Sequence, residues 1–282
     1  MSILDNTINS KDMEISRDSF LKVFMAGPTG SGKTMGATTL PHTNGKPHLL
    51  LDLDGRAETV AGEEGIEILR LYDAKPESPK AWDNVESVRK ELSSMARTCR
   101  KTGKEFPYSA IIEDGLSSLA TVAMNSALLL DNKRGLGGAP AKQHYMPQIT
   151  YLKKHINAMR VLPCHYVLTS HFELLTDEES GEIKVLPKVT RSLRTELPSW
   201  FNESYRCYRE SIKGKTRYFW MTAGTGKYEF FKSALNKRGK FWKDPIEVDF
   251  DDPPVGFERL LAHRFGDLKW ESSLEKEEKG GK

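Results

Sequence analysis

The residues with the clearest chemical signature are Gly27, Pro28, Thr29, Gly30, Ser31, Gly32, Lys33 and Thr34, a G-x-x-x-x-G-K-T string. Glycines adopt backbone angles that let successive N–H groups converge on one anion. A helix opening behind them adds the positive end of its dipole, and the lysine reaches the β- and γ-phosphates of a nucleotide. The threonine hydroxyl is a hard oxygen suited to Mg2+. The string therefore predicts a polyphosphate cradle, a P-loop, in which residues 27–34 bind nucleotide, Lys33 also serves catalysis and Thr34 meets the metal. A glycine-rich turn with a surface lysine is the competing account. The apolar run at 21–26 argues against it, because a strand feeding such a turn is the setting the cradle requires.

Phosphate chemistry also needs carboxylates, and further apolar runs end in them. Residues 110–114 read Ala-Ile-Ile-Glu-Asp, which makes Asp114 the expected metal-side acid, with Glu113 as the alternative carboxylate and helix capping as its plainer role. Asp54 closes the run at 48–54, on a strand expected beside the P-loop strand. There it would polarise the attacking water or, with Gly55, merely form a turn. His171 closes the run at 164–170, where it would sense the terminal phosphate or simply be hydrogen-bonded. The spacing Asp52-Leu53-Asp54-Gly55 also matches a GTPase switch. A guanine-reading Asn-Lys-x-Asp is missing, since 132–135 and 236–239 both lack its aspartate, so the cofactors expected are ATP and Mg2+.

Positioning these groups requires strands that end at one sheet edge with helices between them. The pattern predicts an α/β fold, a P-loop NTPase core with a mostly parallel central sheet flanked by helices. Helices are expected over 33–41, 80–101, 116–130 and 148–162, and late antiparallel strands at 203–210 and 215–222, joined around Gly214. Two excursions, 131–147 and 172–190, fit no core periodicity, and the second has a hairpin-like tip at 176–181. The chain divides into a polar leader at 1–20, the ATPase domain at 21–250 and a C-terminal extension with a charged tail at 251–282.

With 282 residues and 38% hydrophobic content, the chain can bury a full core. A net charge of only +3 means that any nucleic-acid surface must be local. Cys99, Cys164 and Cys207 form no metal-binding pattern and are expected as reduced thiols in a cytoplasmic protein. No run is long and apolar enough for a membrane span, and the leader is too charged for a secretion signal.

Taken in order, the cradle at 27–34, the acid-ended run at 49–55, residues 110–114 and residues 167–171 resemble the RecA-like ATPases. Most closely they resemble the short phage proteins of that superfamily proposed as single-strand annealing recombinases. The resemblance covers residues 21–250. It implies an acidic catalytic group at Asp54 and a polar sensor at His171 coupling nucleotide state to DNA. It also implies single-stranded DNA on the two excursions, through Lys133, Arg134, Lys142, His144 and Tyr145 in the first and Phe172, Lys184, Lys188 and Arg191 in the second. Cations there would neutralise phosphates while Tyr145 and Phe172 stack on bases. The family works as rings or filaments, so the resemblance implies a homo-oligomer in which a neighbour's Lys232, Lys237 or Arg238 completes the site. A single-strand-binding protein is a further expected partner, and the cytoplasm of an infected bacterium the expected location. The same residues also fit a phosphotransferase with a loop-built lid over a small substrate, or a regulatory ATP-binding protein with negligible turnover.

Overall fold

The computed structural model describes residues 15–17, 19–73, 79–131, 138–176, 181–250 and 255–268. The elements run β1 (Lys22–Ala26), α1 (Lys33–Thr38), β2 (His48–Asp52), β3 (Ile66–Arg70), α2 (Ala81–Thr102), β4 (Ala110–Asp114), α3 (Leu116–Leu129) and α4 (Lys142–Arg160). They continue with β5 (His165–Ser170), β6 (Phe172–Thr176), β7 (Ile183–Pro187), α5 (Arg191–Glu196), β8 (Glu203–Ile212), β9 (Lys215–Met221), β10 (Lys232–Ser233), β11 (Ile246–Val248) and α6 (Phe257–Phe265).

The central sheet has the order β3-β2-β4-β5-β1-β8-β9-β11, with β10 paired to β8. Its six strands from β3 to β8 are mutually parallel, while β9, β10 and β11 pair antiparallel. Parallel strands covered on both faces read as continuous apolar runs, and alternation then splits each run between two cores. Phe24, Leu51, Ile111 and Leu168 pack against Val85, Leu119, Leu152 and Ile156 of α2, α3 and α4. Val23, Met25, Leu50 and Val167 pack the opposite way, against Ala37 of α1, Trp220 of β9 and Phe257 and Leu260 of α6. The core thus continues past residue 250.

Three expectations about position change. The strand carrying Asp52 is not beside the P-loop strand: β1 pairs with β5 and β8, and β2 pairs with β3 and β4. Helix α1 stops at Thr38, short of Pro41, where the Thr38 and Thr39 hydroxyls donate to the carbonyls of Met35 and Gly36. Helix α4 begins at Lys142 rather than near 148 and carries Pro147 inside it. There the His144 N–H donates to the Ala141 carbonyl at 2.9 Å and His144 Nδ1 accepts from the Ala141 N–H at 2.8 Å, so the start is fixed before the proline, which removes only one backbone donor. The second excursion is a hairpin, with β6 and β7 antiparallel in register from Phe172↔Pro187 to Thr176↔Ile183; its tip at 177–180 lies outside the described residues.

Candidate nucleotide site

The P-loop leaves β1 with the Gly27 N–H donating to the Ser170 carbonyl at 3.1 Å. Gly30 (φ 73°) and Gly32 (φ 77°) lie in the left-handed region, where a side chain is strained. Gly27 is constrained by space instead, since a Cβ there would sit 2.2 Å from the Cys207 carbonyl oxygen. Lys33 Nζ folds back to donate to the carbonyls of Gly27 at 3.0 Å and Pro28 at 2.9 Å. Burial lowers the ammonium's pKa, opposed by the neighbouring Cys207, Asp114 and Asp54. Among the described residues the ammonium's hydrogen-bond acceptors are these two carbonyls, which phosphate oxygens could replace.

Asp114 sits at the end of β4 and is almost wholly buried. Its Oδ2 accepts from Thr34 Oγ1 at 2.8 Å and its Oδ1 from Thr169 Oγ1 at 2.5 Å, while Thr169 Oγ1 accepts from the Gly115 N–H at 3.0 Å. Burial raises the Asp114 pKa, against the hydrogen bonds from Thr169 and Thr34; nearby Asp54 raises it further and Lys33 lowers it. The helix-cap role falls away, because the α3 cap position is Gly115 and this carboxylate is engaged elsewhere. Glu113 is not the alternative ligand. Alternation turns it to the other face of the sheet, where it meets His155 Nε2 and the Tyr166 hydroxyl, each at 2.6 Å.

Asp54 reaches the same cleft from the loop after β2. A Cβ on Gly115 (φ 113°) would lie 2.3 Å from Asp54 Oδ1, so the glycine admits that carboxylate at the start of α3. Asp52, not Asp54, makes the turn, its Oδ1 accepting from the N–H groups of Gly55 at 2.8 Å and Arg56 at 3.1 Å. His171 lines the same cleft, following the strand beside the P-loop strand. Burial lowers its pKa and Lys33 adds to this, while Asp54 and the Gly27 carbonyl oppose, leaving a neutral imidazole at pH 7. The structure therefore brings Lys33, Thr34, Asp54, Asp114 and His171 around one cleft, which Arg56 and Thr169 also line. Sequence reading missed those two. A lone threonine inside an apolar strand and an arginine after a turn carry no spacing signal.

The residues present fit a magnesium nucleotide. Ser31 Oγ is buried in the cradle without a partner among the described residues. Thr34 and Asp114 offer two hard oxygens already in contact. No group of three or more His, Cys, Asp or Glu side chains that could hold a metal occurs among the described residues, so phosphate and water oxygens would complete the shell, as is usual for Mg2+.

The expected DNA-facing residues are placed unevenly. Lys142 and Tyr145 are exposed on α4, and Lys188 is exposed beside the cleft. Lys184 lies 3.2 Å from the Glu182 carboxylate. His144 is buried against Asp131 and the Ala141 N–H, which removes it from any outward surface. Phe172 packs edge-on against Tyr228, with ring centres 6.5 Å apart, and is half-buried rather than free to stack. Lys133, Arg134 and the Arg191 side chain lie outside the described residues. Lys232, Lys237 and Arg238 are exposed and do not line the P-loop cleft.

Residues 19–229 match the AAA domain family designated AAA_24. The chain belongs to this AAA domain family. The matched span contains the P-loop, Asp54, Asp114 and His171. The AAA domain carries its P-loop on a mostly parallel, helix-flanked sheet in which β5 lies between the P-loop strand and the Asp114 strand, the arrangement of a P-loop ATPase-type domain. A similar solved structure is the KaiC-like protein of the hyperthermophilic archaeon Pyrococcus horikoshii OT3, with 14% identity and a TM-score of 0.39, covering 71% of this chain and 77% of that one. Comparison with curated proteins gives no match. No helix among the described residues of the AAA domain protein is long and apolar enough to cross a membrane.

Proposed function

We propose that this AAA domain protein is an ATP-dependent, single-stranded-DNA-binding ATPase that promotes DNA annealing or recombination as a ring or filament of like subunits. Thr34 and Asp114 hold Mg2+, Lys33 and the P-loop amides hold the phosphates, Asp54 orients the attacking water and His171 registers the terminal phosphate. One observation carries the DNA part: the nucleotide cleft and the hairpin are joined through His171. The Lys188 N–H donates to the His171 carbonyl at 2.9 Å, Ser117 Oγ donates to the Lys188 carbonyl at 3.0 Å, and β6 starts at the next residue, Phe172. A shift at His171 on loss of the terminal phosphate therefore moves the base of the hairpin and the exposed cation at Lys188. The phage origin, the host cytoplasm, a single-strand-binding partner and a neighbour's Lys232, Lys237 or Arg238 in the site belong to this same reading.

The test is binding of a single-stranded oligonucleotide at two salt concentrations with no nucleotide, ATP or ADP, alongside ATP turnover. The expected result is salt-sensitive binding strongest with ATP, DNA-stimulated turnover, and loss of both on Lys33→Ala. Charge reversal at Lys142 or Lys188 should lower the salt slope by roughly one each. Oligonucleotide binding that is identical in all three nucleotide states, with turnover indifferent to DNA, overturns the proposal in favour of a phosphotransferase or a regulatory nucleotide binder.

A further inference from the structure

Strand β8 runs parallel to β1, with its last paired position at Ala26↔Arg206, and then continues to Ile212. The residues that follow, Cys207 to Arg209, thus extend alongside the P-loop, as the Gly27 approach to the Cys207 carbonyl also shows. Alternation places Tyr205, Cys207 and Arg209 on one face. That face carries α1, because Tyr205 and Cys207 share a core with Ala37. Arg209 is exposed and lies over the loop: a Cβ built on Gly30 would be 3.2 Å from its Nη1, 3.4 Å from Cζ and 3.6 Å from Nη2. Its neighbour Arg206 is held between the rings of Tyr208 and Tyr228, at 4.2 and 4.0 Å. Arg209 has no such engagement and no carboxylate partner among the described residues.

Lys33 reaches towards Gly27 and Pro28, and Pro28 and Thr29 share a second cleft with Asp54 and His171. The terminal phosphate therefore belongs at the Pro28–Gly30 end of the cradle, and Arg209 lies beside Gly30, just outside the residues that line the two clefts. We propose that Arg209 is a phosphate-binding residue, a cation from the same chain that recognises the terminal phosphate of bound ATP from across Gly30. A planar guanidinium suits phosphate oxygens, and a cation that reaches the terminal phosphate alone would favour triphosphate over diphosphate. The inference rests on reading the cleft as an ATP site.

The experiment is equilibrium binding of ATP and of ADP, each with Mg2+, to the wild type, Arg209→Ala, Arg209→Lys and Lys33→Ala. Thermal melting serves as the folding control, and Arg209→Gln replaces the alanine variant if that one melts early. Arg209→Ala should weaken ATP about tenfold, near 1.4 kcal/mol, and ADP less than about threefold, with Arg209→Lys between. An unchanged ATP-to-ADP ratio in Arg209→Ala, with binding lost in Lys33→Ala, overturns the role of Arg209 and leaves the site standing. Full ATP binding by Lys33→Ala overturns the site itself. Mixing Arg209→Ala with Lys33→Ala should leave ATP affinity as weak as in Arg209→Ala alone; recovery of wild-type ATP affinity in the mixture would make Arg209 a cation given to the neighbouring subunit and would overturn the same-chain assignment.

Discussion

Asp114 is buried at a cost to the fold. Burial raises its pKa, so ionising it is harder in the folded chain than in the unfolded one. The sign follows: stability present below its ordinary value of 3.8 is lost as the pH rises through the raised folded value, and at neutral pH the carboxylate destabilises the nucleotide-free protein. Asp114→Asn should therefore raise the melting temperature of the nucleotide-free protein at pH 7 by a few degrees while abolishing Mg2+-dependent turnover. Scanning calorimetry and a magnesium titration of ATP turnover check the two halves, and a lower melting temperature would show that the hydrogen bonds from Thr34 and Thr169 outweigh desolvation. At this scale Lys33, Thr34 and Asp114 were legible because their chemistry is tied to a fixed spacing or a strand end. Glu113 against Asp114 was not settled by sequence, since adjacent acids differ only in the face of β4 they occupy.

At the scale of elements, the start of α4 decides which residues face outward. His144 turns in to accept from the Ala141 N–H and to meet Asp131 at 3.2 Å, and by doing so sets Lys142 and Tyr145 on the surface. His144→Ala leaves that N–H without its side-chain acceptor, a loss of about 1 kcal/mol at the helix end. Amide hydrogen exchange over 142–146 should quicken roughly fivefold, with the protection of β1 and β4 unchanged; unaltered exchange there would mean that the helix start is held without the His144 acceptor. Sequence reading placed this stretch in a loop because residues 131–147 are rich in glycine and cations and show no core periodicity. What it lacked was the acceptor three residues earlier and Asp131 from the end of the preceding segment.

The whole molecule has an acid-labile seam where the bottom of the sheet meets the chain entering β1. His165 Nδ1 accepts from the Leu21 N–H at 3.0 Å, a bond only an unprotonated nitrogen can make, and His48 stacks on His42 with ring centres 3.9 Å apart. Burial lowers both His48 and His165 from 6.5 to about 4, with His42 acting on the first and His48 on the second. Because the folded values lie below the unfolded ones, stability is full above pH 6.5 and falls as the pH drops towards 4. The loss is on the order of 2 kcal/mol per ring at pH 5. The urea midpoint should drop clearly between pH 7.5 and pH 5, and His165→Asn should flatten that dependence; a midpoint constant across this range would refute the buried-imidazole account.

Sequence alone determined the cradle, the class of fold and the sheet edge at which Asp54, Asp114 and His171 lie, because backbone sterics, burial periodicity and phosphate chemistry act over a few residues. Only the tertiary structure decided which strands are neighbours, so β5 and β8, not β2, flank the P-loop strand. It likewise turned Glu113, His144 and Phe172 inward and carried Arg209 over Gly30. Those outcomes depend on pairings between segments far apart in the chain, set by how two cores fill on opposite faces of one sheet, which no local pattern encodes.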